Sequence, residues 1–183
     1  RDWSSDVCSS DLQLNSGHSH VEGLSSELLQ KALAMGTYKA SSEPRDIDGS
    51  EVVVIAVPTP LTIHRRPDLS YIESACEIIG QNLKNSALIV NESTSYPGTV
   101  RNLIRPLIEK FDSSLRHEYA VSPERVDPGR LDWDQTNTPR LYAGLTKSAS
   151  EKTKDFYAAF CNNLVEVSSP EVAEAAKIGR AHV

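Results

Sequence analysis

Long hydrophobic runs are missing from this chain. No apolar stretch among its 183 residues approaches the roughly 20 needed to cross a bilayer, which excludes a helical membrane span. An excess of positive charge is missing too. The formal net charge is −6, so the chain has no basic footprint for nucleic acid or for an anionic membrane surface. Its first residues carry neither the basic stretch nor the apolar core of a secretory signal. Cysteine is scarce: Cys8, Cys76 and Cys161 form no C-x-x-C pair and have no histidine at ligand spacing. That leaves no zinc or iron–sulfur pattern. Cys76 and Cys161, each inside a predicted amphipathic helix, read as reduced, buried, structural thiols of a cytoplasmic protein. His18, His20, His64 and His117 fall in predicted loops or turns without metal spacing and are expected at the surface.

The chain does contain enough apolar material, 39% hydrophobic, to bury one sizeable core. Two kinds of apolar segment alternate along it, which is the signature of βαβ units and a mainly parallel sheet. Helical spacing is predicted over residues 26–35, with Leu28, Leu29 and Leu33 on one face. It returns through Tyr71, Ile72, Ala75, Ile78 and Ile79, where Ser70-x-x-Glu73 fits a capping box. After a turn at Asp46-Ile47-Asp48-Gly49, nearly continuous valine and isoleucine over residues 51–57 predict a strand buried on both faces. Residues 86–92, 118–121, 140–146 and 164–167 read as further strands. Pro97 is expected to open a helix with the stripe Val100, Leu103, Ile104, Leu107 and Ile108, kinked by Pro106. Ser148-x-x-Glu151 reads as the cap of a helix carrying Phe156, Tyr157 and Phe160, and Ser169-Pro170-Glu171 as the start of a last helix.

Three of the strands end abruptly in polar motifs: Pro58-Thr59-Pro60, Glu92-Ser93-Thr94 and Ser122-Pro123-Glu124. Open α/β sheets bind ligands outside the carboxyl ends of their parallel strands, and right-handed crossovers bring consecutive strands side by side. The three motifs should therefore share one edge. Two prolines stiffen the first turn and hold the Thr59 hydroxyl there, although the tripeptide also serves as a plain turn. The second sets a carboxylate and two hydroxyls before a helix start, where free N–H groups favour an anion; simple capping is the other reading. In the third, Glu124 stands beside Arg125. A carboxylate in a low-dielectric crevice can act as a general base, whereas in isolation the pair reads as a solvated loop. Arg125 and Arg130 then flank a turn suited to anionic groups such as phosphates, although basic loop residues also serve simply as solvated charges.

Taken in order, these motifs resemble the nucleotide-sugar 6-dehydrogenases, the UDP-glucose/GDP-mannose dehydrogenase superfamily. The match runs through Val57-Pro58-Thr59-Pro60-Leu61-Thr62 with Pro67-Asp68-Leu69-Ser70, and Glu92-Ser93-Thr94 with Tyr96-Pro97-Gly98-Thr99. It continues through Ser122-Pro123-Glu124-Arg125 with Asp127-Pro128-Gly129, and Glu174-Ala175-Ala176-Lys177 falls where the family has its catalytic lysine. The P-T-P-L-T and S-P-E-R-x-D-P-G forms look most like the branch acting on UDP-N-acetylglucosamine or its epimer. The resemblance implies an α/β fold: an incomplete Rossmann-like, doubly wound, mainly parallel sheet with flanking helices, its first strands and Gly-rich loop missing. It also implies an NAD-dependent enzyme that oxidises the C6 hydroxyl of a UDP-sugar to a carboxylate in two steps, by way of a cysteine thioester, for surface polysaccharide. By the same resemblance Val57, Pro58, Thr59, Pro60, Ser93, Thr94 and Ser95 would contact NAD. Glu124, Arg125, Val126, Asp127, Pro128 and Lys177 would line the sugar nucleotide. Glu124 would be the general base for thioester hydrolysis, Thr94 would approach the catalytic water, and Lys177 would steady an oxyanion or shuttle a proton. The full-length enzyme would be a homodimer or larger.

The departures from the family pattern shape the expected domain organisation. The sequence holds no G-x-G-x-x-G phosphate loop, and neither Cys76 nor Cys161 has the Gly-rich context of the nucleophile. Residues 2–12 back-translate into a common short-read library adapter, and residues 178–183 into its complement read outward. Residues 1–12 and 178–183 are therefore read as adapter-derived, residues 13–168 as a partial NAD-binding domain, and residues 169–177 as the start of a central dimerisation helix. Lys177 would then keep only the first base of its native codon. On this reading the chain alone turns nothing over, and loss of the first strands leaves an unpaired sheet edge. The alternatives are a UDP-glucose or GDP-mannose member of the superfamily, a non-catalytic α/β nucleotide-binding module, and a β-hydroxyacid dehydrogenase relative.

Overall fold

The computed structural model describes residues 10–21, 24–63, 67–123 and 138–178. The chain divides into two compact units, residues 1–46 and 47–183. In the first, helix α1 (Ser26–Ala34) starts at Ser25, whose hydroxyl accepts the Leu28 N–H. Leu29 is its one buried residue and Leu28 is exposed, so the apolar face expected of Leu28, Leu29 and Leu33 is narrower than the spacing implied. Asn15 ties the segment beyond α1 by a reciprocal pair, donating to the Ala40 carbonyl and accepting from its N–H.

The second unit is built on five strands in the order β1-β2-β3-β4-β5: Val52–Ile55, Leu88–Asn91, Glu118–Val121, Arg140–Gly144 and Leu164–Glu166. The first three are parallel, β4 is antiparallel to β3, and β5 is parallel to β4. Alternate residues face opposite sides of a sheet. Ile55, Ile89, Tyr119 and Val121 accordingly join one buried cluster, with Ile72, Cys76 and Ile79 of α2 (Ser70–Asn82). Leu88, Val90 and Ala120 join the other, with Ala149 and Tyr157 of α4 (Lys147–Ala158). Each fully buried aliphatic side chain contributes about 1.5–3 kcal/mol. Helices thus cover both faces of a mostly parallel sheet, which is the doubly wound, Rossmann-like arrangement expected.

Several local expectations need correction. β1 is half-buried over Val52, Val53 and Val54 because it forms the sheet's edge, whereas the expected burial on both faces is met by β2. Ser70 is not a cap. The Asp68 carboxylate accepts the Ser70 N–H and hydroxyl, so the helix begins under an acidic side chain two residues upstream. Likewise the cap of α4 is Thr146, accepting from the Ala149 N–H at 3.0 Å, rather than Ser148. The helix expected from Pro97 starts later, as a π-helical turn (Val100–Ile104) running on into an α-helical turn (Arg105–Glu109), together α3. Pro106, which lacks an N–H, sits at the change of register. Cys161 lies just beyond α4 instead of inside it, but both thiols are buried. His117 is half-buried at the foot of β3, its Nδ1 accepting the Ala87 N–H and its ring edge-on to Tyr119. Burial holds its pKa below the usual histidine value. A last helix, α5 (Pro170–Ile178), starts at the proline as expected.

Candidate functional site

The carboxyl ends of β1, β2 and β3 meet at one edge, joined by their own backbones. The Glu92 N–H donates to the Ile55 carbonyl at 2.9 Å, and the Ser122 N–H to the Asn91 carbonyl at 3.1 Å. Ser93 fastens the first two ends together: its hydroxyl accepts the Val57 N–H at 2.8 Å and donates to the Ile55 carbonyl at 3.3 Å. Asn91, buried at the end of β2, accepts the Ser93 N–H and donates to the Ser95 hydroxyl at 3.2 Å. Ser93 and Ser95 are therefore buried framework. Between them Thr94 is half-exposed, and its hydroxyl has no partner among the described residues. The same holds for Thr59, in the turn after β1. Beyond that turn, Pro58-Thr59-Pro60, the Asp68 N–H donates to the Pro60 carbonyl at 2.8 Å.

A cation reaches this edge from each side. Lys177 on α5 donates from Nζ to the Glu92 carbonyl at 2.7 Å. Arg140, first residue of β4 and 5% exposed, donates from Nη1 to Glu92 Oε1 at 2.6 Å, with the Ser122 carbonyl and hydroxyl each at 3.4 Å. The Tyr157 hydroxyl donates to the same Glu92 oxygen at 2.5 Å, and the guanidinium lies 4.4 Å from its ring centre. Burial, followed by the Glu92 charge, pushes the Tyr157 hydroxyl well above its usual pKa. Motif spacing gave no notice of Arg140 or Tyr157. Strand direction could have revealed Arg140, since an antiparallel β4 starts at the edge where β3 ends.

The free N–H groups expected before the helix after Pro97 are already occupied. Glu174, 2% exposed on α5, accepts the Gly98 N–H at 2.5 Å and the Val100 N–H at 3.0 Å. Gly98 has φ +93°, which turns its N–H toward that carboxylate; a Cβ there would lie 2.8 Å from Asn102 Nδ2. Burial raises the Glu174 pKa, and the two backbone N–H bonds pull against it. This helix start binds an anion, and the anion belongs to the protein.

Of the expected site residues, Val57, Pro58, Thr59, Pro60, Ser93, Thr94, Ser95 and Lys177 gather at this edge. Glu124, Arg125, Val126, Asp127 and Pro128 lie outside the described residues. Among the described residues no group of histidine, cysteine and carboxylate side chains could hold a metal ion. Neither thiol is suited to nucleophilic work, because Cys76 is fully buried with its pKa pushed up by that burial to about 12 and Cys161 is 4% exposed.

Comparison with known proteins places the fold among nucleotide-sugar dehydrogenases. UDP-N-acetyl-D-mannosamine dehydrogenase of Pyrococcus horikoshii is 30% identical over 169 residues, 91% of this chain and 40% of its own length. UDP-N-acetyl-D-glucosamine 6-dehydrogenase of Pseudomonas aeruginosa is 34% identical over 139 residues, 73% of this chain and 33% of its own length. Among solved structures, the P. horikoshii UDP-D-ManNAc dehydrogenase superposes with a TM-score of 0.85 at 29% identity, over 94% of this chain and 42% of that one. A ternary complex of GDP-mannose dehydrogenase from P. aeruginosa also gives 0.85, at 26% identity over 94% and 42%. The chain thus spans about two fifths of the length of such relatives. The UDP-glucose/GDP-mannose dehydrogenase family, NAD binding domain, matches residues 10–161, and the chain belongs to that family.

Proposed function

We propose that this chain is part of an NAD-dependent UDP-N-acetylhexosamine 6-dehydrogenase, which converts a sugar C6 hydroxyl to a carboxylate for surface polysaccharide. The carrying observation is the gathering of the Thr59 and Thr94 hydroxyls and the Lys177 amine at the carboxyl ends of β1 and β2. The relatives above named for UDP-N-acetyl sugars favour this branch over UDP-glucose or GDP-mannose.

The residues present fit one flank of NAD, which accepts hydride when bound. Val57, Pro58, Thr59 and Pro60 would border it on the β1 side and Thr94 on the β2 side, with Ser93 and Ser95 fixing the turn behind. Thr94 can donate to or accept from a water, and Lys177 can stabilise an oxyanion forming near the Glu92 carbonyl. Glu124 would act as base for thioester hydrolysis, and residues 124–128 would line the sugar nucleotide. The nucleophilic cysteine is not Cys76 or Cys161, so the 183-residue chain is inactive by itself. Residues 1–12 and 178–183 are read as adapter-derived, and residues 169–177 as the start of a dimerisation helix.

Extending the reading frame in the source DNA and expressing the full protein tests this directly. Two NADH formed per UDP-N-acetylhexosamine, and none from the 183-residue chain, is the expected result. No NADH from UDP-N-acetylglucosamine or its epimer, with turnover of UDP-glucose or GDP-mannose, would overturn the substrate assignment. No NADH from any of the four would overturn the enzyme reading.

A further inference from the structure

Glu171, Glu174 and Lys177 are spaced three apart on α5 and so share one helix face. That face meets the segment between β2 and α3 at successive points. Glu171 takes Arg101 Nε at 2.8 Å, Glu174 takes the Gly98 and Val100 N–H groups, and Lys177 reaches the Glu92 carbonyl at 2.7 Å. The two inner contacts bracket the whole Glu92–Gly98 turn, and Thr94 lies between them. The outer one, Glu171–Arg101, is partly exposed in both partners. An exposed pair of this kind contributes little, whereas a buried carboxylate satisfying two backbone N–H groups fixes geometry.

We infer that Glu174 is a positioning residue: by holding Gly98 and Val100 against α5, it sets Lys177 on the Glu92 carbonyl and fixes the turn that carries Thr94. The carboxylate touches neither Lys177 nor Thr94 in any contact described above. It acts through the backbone of the turn and through the helix both residues depend on. Its role in catalysis rests on the proposed function, but the mechanical coupling does not.

The coupling can be read by NMR on the isotopically labelled 183-residue chain, with no substrate present. In Glu174→Gln the Gln can accept from one N–H only, while its amide hydrogens oppose the other. The Lys177 Nζ and Glu92 carbonyl signals should shift, and hydrogen exchange at Lys177 Nζ should quicken at least tenfold. Glu171→Gln, which loses the exposed pair on the same helix face, should leave that exchange within twofold of the parent. If Glu174→Gln lowers the melting temperature yet leaves the Lys177 and Glu92 signals unmoved, Glu174 is structural only and the inference falls. Coupling is reciprocal, so half-exposed Lys177 supplies a second test that does not require Glu174→Gln to fold. In Lys177→Met the Gly98 and Val100 amides should exchange at least fivefold faster, and unchanged amides would overturn the inference. Because neither readout involves a nucleotide sugar, failure here is distinct from absence of NADH in the extended protein.

Discussion

Arg140 at the start of β4 and Glu92 just beyond the end of β2 form an ion pair at 2.6 Å, with all of β3 between their strands. The guanidinium is held on three sides, by the Glu92 carboxylate, the Ser122 carbonyl and hydroxyl, and the Tyr157 ring. Stacking of the cation on the ring adds about 1–2 kcal/mol where water is excluded. The pair therefore crosses β3 and fixes the turn on which Thr94 and Lys177 both depend.

Removing the cation should be severe. Arg140→Met leaves the Glu92 carboxylate with the Tyr157 hydroxyl but without the guanidinium, and breaking a largely buried pair this way costs up to about 3–5 kcal/mol. Urea unfolding should show that loss. Arg140→Lys should recover only part of it, because a compact ammonium lacks the planar guanidinium that lies over the Tyr157 ring.

Gly144 closes β4 against the start of α4. A Cβ there would lie 2.4 Å from the Ser150 backbone nitrogen and 2.6 Å from the Ala149 Cβ, and backbone cannot yield as a flexible side chain can. Gly144→Ala should destabilise by about 1–3 kcal/mol, measured as a lowered urea midpoint with an unchanged slope.

The Glu171 carboxyl is held at about 2, first by the hydrogen bond from Arg101 and then by its own backbone N–H. A depressed acid gives stability that is complete above its unfolded pKa, about 4.3, and is lost as pH falls toward 2. Between pH 5 and 2, Glu171→Gln should therefore lose less stability than the parent. The difference should shrink in high salt, since both partners are partly exposed. Melting curves across that range, at low and high salt, check both statements.

The buried thiols should be inert in the folded chain. In a Cys8→Ser background at pH 8, a disulfide-exchange reagent should label neither Cys76 nor Cys161 over minutes, and both should react at once in denaturant. Fast labelling of native Cys76 would contradict the pKa of about 12 that burial imposes on it.

Much of the fold was readable because period-two burial is written locally: Leu88 and Val90 face one cluster, Ile89 the other. The ends of β1, β2 and β3 were readable for the same reason, whereas Lys177, on a helix, was singled out only by the family resemblance. Arg140 was not readable, because the direction of β4 is decided by its pairing with β3 and not by its own residues. Glu174 was hidden similarly. The spacing before Pro97 signals a helix start wanting an anion, but nothing local says that the anion arrives from a carboxylate 74 residues beyond Val100. Both false caps, Ser70 and Ser148, fit S-x-x-E. In each case an acceptor two residues earlier, Asp68 or Thr146, claimed the helix start first.

The three-residue spacing of Glu171, Glu174 and Lys177 makes α5 a part with a phase. A substitution at Glu171 silences one tooth of it and leaves the other two meshed. A single inserted or deleted residue between Glu174 and Lys177 would turn the lysine by about 100° around the helix axis, carrying it off the Glu92 carbonyl while Glu174 stayed engaged. Replacement at the exposed positions of this helix should therefore be tolerated, and change of length should not.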